Sequence, residues 1–250
     1  MTEPRPNLAG KSALVTGASD RLGRAIALAL AAHGVAVAVH YHSDASAAAA
    51  TADQVRAAGP RAALIQADLA QPGQGADLVA RAIAALGPLD ILINNASIFP
   101  ESTLADLSAA ALAEAMQINA FSLLETSRAF AAQGRPGDII NLLDARLDDY
   151  DRQHVAYHLS KRAAHALTAM CALDYAPTIR VNSVAPGLIL PPEGHDQSWL
   201  QNLAHTAPLQ TFGSPRDITD AVLFLLAAPF VTGQLLFIDG GRHLRGNFYG

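Results

Sequence analysis

The chain has 250 residues, of which 51% are hydrophobic and 16% charged, and a net charge of −5. That composition supports a sizeable core, and without a basic run it argues against nucleic acid or an anionic membrane as a partner. The single cysteine, Cys171, excludes an intrachain disulfide framework and suits a reducing compartment.

Taken in order, residues 1–10 hold no apolar run of secretory type. The longest apolar stretches, 25–39 and 221–231, are too short to span a bilayer, so a cytoplasmic location is expected. Residues 12–16 are a short apolar run, read as a buried strand. The loop Gly17-Ala18-Ser19-Asp20-Arg21-Leu22-Gly23 follows, then an apolar helix over 24–33. Strand, glycine-bearing loop and helix together set backbone N–H groups against a phosphate. Further strands are predicted at 35–40, 62–67, 89–93, 139–143, 179–184 and 234–238. Helices are predicted at 44–58, 72–86, 106–132, 215–228 and from the Tyr157 region to about residue 175. Cys171 sits within the last of these and reads as helix core.

This alternation calls for a single doubly wound parallel α/β sheet with helices on both faces. No linker is long enough to divide it, so residues 1–250 read as one domain. Ligands then bind at the carboxyl ends of the strands. The residues there, Gly17, His40, Asp68, Asn94, Asp144 and Pro186, are expected to line one crevice.

Tyr157 and Lys161 are four apart, so on a helix they share a face and point into one pocket. An ammonium near a phenol favours the phenolate and brings tyrosine, with its ordinary pKa of about 10, toward useful acidity. Asp144 directly follows the apolar run 139–143.

Together, Thr16-Gly17 with Gly23, Asn94-Asn95-Ala96, Asn119, Tyr157-x-x-x-Lys161 and Pro186-Gly187 resemble the short-chain dehydrogenase/reductase family over essentially the whole chain. The resemblance implies a Rossmann-like fold and a catalytic set of Asn119, Tyr157 and Lys161. Two positions depart from the usual pattern. Arg21 stands where the middle loop glycine is expected, and Asp144 where the catalytic serine is expected. Both departures resemble the pteridine reductase branch, as do His40-Tyr41-His42-Ser43, Ser97-x-Phe99 and Asn141-Leu142-Leu143-Asp144-Ala145. That branch reduces dihydropterins and in bacteria includes dihydromonapterin reductases. It implies NADPH as hydride source, a small-molecule pterin substrate and a homotetramer.

The cofactor is expected along Gly17, Arg21, Leu22 and Gly23, then His40, Tyr41, His42 and Ser43, where no carboxylate opposes a 2′-phosphate until Asp44. By resemblance, Asp68 accepts from the adenine amino group. Leu69, Asn94, Asn95, Ala96, Ser97, Tyr157, Pro186, Gly187 and Leu188 lie along the cofactor, and Lys161 reaches the nicotinamide ribose. The substrate is expected against Arg21, Ser97, Phe99, Asp144, Tyr157 and Trp199, with Phe99 stacking on a flat ring and the segment 188–208 covering it.

An ionised Asp144 only accepts hydrogen bonds. It opposes the oxyanion of carbonyl reduction but stabilises a protonated imine, and it accepts from a pterin's amide N–H and amino group. It also raises the Tyr157 pKa, keeping the phenol an acid. The alternatives are a ketone or 3-oxoacyl reductase of the same family, which a serine at 144 would favour, and a non-catalytic NADP(H)-binding or sensing protein. His154 and His158 share a helix face but lack a third ligand, so no metal is expected. Asp148, Asp149 and Asp151 read as a solvated loop, and the tail 242–250 as a segment reaching a neighbouring subunit.

Overall fold

The computed structural model describes residues 8–192 and 194–244. Seven parallel strands form one sheet in the order β3-β2-β1-β4-β5-β6-β7. They are β1 (Ser12–Val15), β2 (Ala36–Tyr41), β3 (Ala62–Gln66), β4 (Ile91–Asn94), β5 (Gly137–Leu142), β6 (Ile179–Pro186) and β7 (Leu235–Ile238). The helices are α1 (Arg21–Ala32), α2 (Ala45–Ala57), α3 (Gln74–Leu86), α4 (Ala109–Met116), α5 (Ser122–Ala131), α6 (Val155–Asp174), α7 (Gln197–Leu203) and α8 (Pro215–Ala227).

Strand residues alternate between the two faces. Val15, Val37, Val39, Ile91 and Ile93 pack with Ile26 and Leu30 of α1 and Val222 and Leu225 of α8. Leu14, Ile65, Leu92, Ile139 and Val181 pack on the other face with Leu78 of α3, Phe130 of α5 and Cys171 of α6. Both faces are therefore dry, which is why the strands read as continuous apolar runs. Strand order reverses between β1 and β4, and the crevice of an open α/β sheet opens there.

Local signals start the helices. Asp44 accepts from the Ala47 N–H at 2.8 Å and caps the Ala-rich α2. Ser214 and Asp217 form a capping box around Pro215 at the head of α8.

Two features differ from the sequence expectation. The helix expected over 106–132 is divided into α4 and α5 by a π-helical turn at Gln117–Phe121, which carries Asn119. A local π turn aims a side chain that a regular helix would send elsewhere. The segment 188–208, expected to be irregular, contains α7, whose N-cap Asp196 accepts from the Ser198 N–H at 2.9 Å. The tail begins with a 3₁₀ turn at Arg242–Leu244, of which Arg242 lines the crevice, and residues 245–250 lie outside those described. Among the described residues no helix is long and apolar enough to cross a membrane.

Candidate active site

The crevice has two connected compartments. A groove runs along Gly17, Arg21, Leu22 and Gly23, past Ser43 and Asn95 to Phe99, and ends at Asp144, Tyr157 and Lys161. A chamber opens beyond it, bounded by Phe99, Asp144, Arg146, His154, Leu188, Trp199 and Arg242. Arg21, Phe99, Asp144, Tyr157, Lys161, Pro186 and Gly187 line both.

The glycine loop is held open from below. A Cβ on Gly23 would lie 2.0 Å from the Gly17 carbonyl oxygen and 2.6 Å from Asn95 Nδ2, so only glycine permits this approach. Asn95 Nδ2 donates to the Thr16 and Gly17 carbonyls, at 2.9 Å each. Thr16 Oγ1 accepts from the Asn95 and Ala96 N–H groups at 2.9 Å. The loop thereby presents the N-terminus of α1 to the groove, a fit for a dinucleotide pyrophosphate. Arg21 has φ of 52°, the left-handed region that costs a non-glycine residue about 1–2 kcal/mol. Its Nη2 donates to the Pro191 carbonyl at 2.7 Å, tying the glycine loop to a segment that lines the chamber.

His40 does not face the groove. It is buried, accepts from the Gly17 N–H at Nδ1 (2.9 Å) and donates from Nε2 to the Ala67 carbonyl (3.2 Å). Burial pushes its pKa down to about 4, so it is neutral and positions the loop rather than countering a phosphate. Asn94 is also turned inward, donating to Asn141 Oδ1 at 2.9 Å and accepting from Thr126 Oγ1 at 2.7 Å. The Leu69 side chain packs in the core, and Tyr41 packs partly buried against the α1 face. Leu188 lines the chamber and not the groove. His42 is exposed, with Nε2 3.8 Å from Asp68 Oδ1. The Asp68 carboxyl is held below its ordinary range mainly by the Ala70 N–H, then by Gln71.

The hydrogen bonds of Asn119 go to neither Tyr157 nor Lys161. Its Oδ1 accepts from the Ile98 N–H (2.8 Å) and Ser97 Oγ (3.1 Å). Its Nδ2 donates to the Ile98 carbonyl (3.0 Å) and Ser160 Oγ (2.9 Å). It staples the segment carrying Phe99 to α6. The Phe99 ring stacks on His154 at 3.9 Å and meets Tyr157 edge-on at 4.6 Å, yet remains 54% exposed, which leaves surface for a flat ligand.

The centre of the crevice is an acceptor pair. The Tyr157 hydroxyl donates to Asp144 Oδ2 at 2.7 Å, and the Arg146 N–H donates to Asp144 Oδ1 at 2.7 Å. Burial, and then the negative charge of Asp144, raise the Tyr157 pKa well above its ordinary value, so the phenol stays protonated. Lys161 is buried, donates to the Leu142 carbonyl at 2.9 Å and lies 5.6 Å from the centre of the Tyr157 ring. Burial lowers its pKa to about 8, with Asp144 acting in the opposite direction.

The loop after Asp144 is less solvated than its charges suggest. Asp151 accepts from Arg146 Nη1 (2.8 Å) and His154 Nδ1 (3.1 Å), and Asp149 lies 3.4 Å from Arg146 Nε; of the three aspartates only Asp148 is exposed. His154 and His158 engage different neighbours, Phe99 and Tyr150. Among the described residues no group of three or more His, Cys, Asp or Glu could hold a metal. Sequence reasoning missed Arg146 and Arg242. Arg146 lies two residues past Asp144, but nothing in the sequence marks Arg242 as facing the chamber.

The family described as enoyl-(acyl carrier protein) reductase matches residues 17–243. The chain is similar to the crystal structure of FolM alternative dihydrofolate reductase 1 from Brucella canis complexed with NADP. The two are 30% identical with a TM-score of 0.89, over 96% of each chain. It is 32% identical to the L-rhamnose 1-dehydrogenase (NAD(P)(+)) of a Sphingomonas species, over 95% of this chain and 98% of that one. It is 31% identical to a 3-oxoacyl-[acyl-carrier-protein] reductase of Staphylococcus epidermidis, over 94% of this chain and 99% of that one.

Proposed function

The chain belongs to the short-chain dehydrogenase/reductase family, and from that premise we propose that it is an NADPH-dependent pteridine reductase. It is an oxidoreductase that takes a nicotinamide dinucleotide phosphate as cofactor. The substrates we assign are dihydropterins such as dihydrobiopterin and dihydromonapterin, with dihydrofolate included. One domain binds cofactor and substrate, and the segment 188–208, bearing Trp199, covers the substrate.

The observation that carries this reading is the 2.7 Å hydrogen bond from Tyr157 to Asp144, at the position where the family ordinarily has serine. A carboxylate beside a carbonyl undergoing reduction faces a developing oxyanion, and repulsion between two anions about 4 Å apart is large in a partly desolvated site. The same carboxylate stabilises a protonated imine and accepts from donor edges of a pterin. Each Asp144 oxygen already accepts one donor, which fixes the carboxylate and leaves lone pairs toward the chamber.

Bound NADPH supplies the hydride. Tyr157, held protonated, supplies the proton directly or through a water that it orders. Lys161, which lines the groove, would hold the cofactor ribose, and Phe99 would offer its exposed surface to the ring. The sequence after β2 has no acidic residue before Asp44, and Ser43 lines the groove, which supports NADP over NAD.

A tetramer fits the exposed apolar surface. Leu159, Met170 and Leu173 project from α6, and Phe224 and Phe230 from α8 and the turn after it. Further copies of the chain would cover these side chains.

The similarity to a 3-oxoacyl reductase favours a second reading, carbonyl reduction. Asp144→Ser separates the two. We expect this variant to lose about 10–100-fold in kcat/KM for dihydropterins, a loss typical of one misplaced catalytic contact. It should gain on acetoacetyl thioesters. Full dihydropterin activity in the variant would remove the basis of the proposal.

A further inference from the structure

We propose that Arg242 forms a carboxylate-binding subsite in the substrate chamber, so that substrates carrying an anionic side chain are preferred over those with a neutral one. The proposal rests on the pteridine reductase reading for the ring and extends it to the substituent.

Arg242 lines the chamber together with Asp144, Arg146 and Trp199. Its backbone N–H donates to the Asp239 carbonyl at 3.2 Å. Among the described residues its guanidinium makes no hydrogen bond and no ion pair, whereas the other arginines of the chamber are committed. Arg21 donates to the Pro191 carbonyl at 2.7 Å, and Arg146 to Asp151 at 2.8 Å. Arg242 is half-buried; its burial and then the Arg146 cation disfavour its charge, while the Asp144, Asp149 and Asp239 carboxylates favour it less strongly. A partly desolvated guanidinium is stabilised by a ligand that returns two acceptor oxygens in its plane, which is the geometry of a carboxylate.

The turn that carries Arg242 is fixed. Asp239 accepts from the Gly241 N–H (2.9 Å), the His243 N–H (2.6 Å) and His243 Nδ1 (2.9 Å). The His243 ring stacks on Phe237 at 3.9 Å. A Cβ on Gly187 would lie 2.5 Å from Asp239 Cβ, so the absence of a side chain there lets this turn close against the end of β6. The cation is therefore presented from a rigid support within a chain of net charge −5.

The test is calorimetric binding to the NADP⁺-loaded protein, in which no reduction takes place. Dihydrofolate, with glutamyl carboxylates, is compared with dihydrobiopterin, whose side chain is neutral. Arg242→Gln is expected to weaken dihydrofolate about tenfold or more, the scale of one charged hydrogen-bonded contact, and to leave dihydrobiopterin within about twofold. Arg242→Lys should recover part of the loss. Equal weakening of both ligands, or unchanged dihydrofolate binding, overturns the subsite while leaving the pterin reading in place. 4-Aminobenzoylglutamate, which has the tail and no pterin ring, separates the two claims. If it binds in an Arg242-dependent way while neither pterin binds, the subsite stands and the ring assignment fails. If neither it nor dihydrofolate binds, the subsite is overturned.

Discussion

Tyr157→Phe is expected to lower kcat/KM for a dihydropterin by about 10²–10⁴-fold, the contribution of a positioned general acid. The hydroxyl is partly buried and held protonated, by burial first and by Asp144 second. It is also the group hydrogen-bonded to the carboxylate that distinguishes this site. The substitution removes one hydrogen bond from Asp144 Oδ2, while Oδ1 keeps its bond from the Arg146 N–H. The fold should therefore lose only about 1 kcal/mol. NADPH affinity, followed by fluorescence titration, should stay near that of the parent, because the glycine loop lies at the other end of the groove. A variant that keeps its turnover within a few-fold would mean that the proton comes from water ordered by other groups.

Gly23→Ala should have the second large effect, on cofactor binding and folding together. The added Cβ would sit 2.0 Å from a backbone carbonyl oxygen and 2.6 Å from Asn95 Nδ2. Neither can yield cheaply: the carbonyl belongs to Gly17, whose N–H is fixed by His40, and Asn95 is fixed by its bonds to the Thr16 and Gly17 carbonyls. Overpacking of this kind costs about 1–3 kcal/mol or more, and relief requires α1 to move away from the end of β1. We expect NADPH affinity to fall about 100-fold or more and the thermal transition to move down. Parent-like affinity and melting would show that the loop relaxes freely, contrary to the packing described above.

The fold was legible because its signals are collective. Each apolar run is bounded by Gly, Pro, Asn or Asp, and the alternation of strands and helices leaves little choice of sheet. Residues whose placement depends on backbone position alone, such as Gly17, Gly23 and Pro186, also fell along the crevice as expected. Side chains at strand ends were less legible. His40 was expected at the rim, but β2 runs one residue further, to Tyr41, which leaves His40 inside the strand, paired with Ile65. A shift of one residue at a strand end reverses the direction of the side chain. Asn94 likewise ends β4 pointing into the buried Asn94–Asn141–Thr168 chain of hydrogen bonds.

The π turn at Asn119 has no local sequence signature, because it is set by partners distant in the chain, Ile98 and Ser160. Arg242 belongs to the same class. Only the close packing of Gly187 against Asp239 brings it to the chamber. Asp144 was legible as a departure from a family pattern, but its bond to Tyr157 is a matter of geometry that spacing alone does not give.

The most direct test of the central claim follows NADPH consumption by the unmodified protein, with dihydrobiopterin and dihydromonapterin beside a panel of ketones and acetoacetyl thioesters. The account predicts turnover of the dihydropterins and none of the carbonyls, since Asp144 favours a cationic imine and opposes an oxyanion. Turnover of carbonyls alone would contradict it, and would mean that the carboxylate beside Tyr157 is neutral or turned away during the reaction.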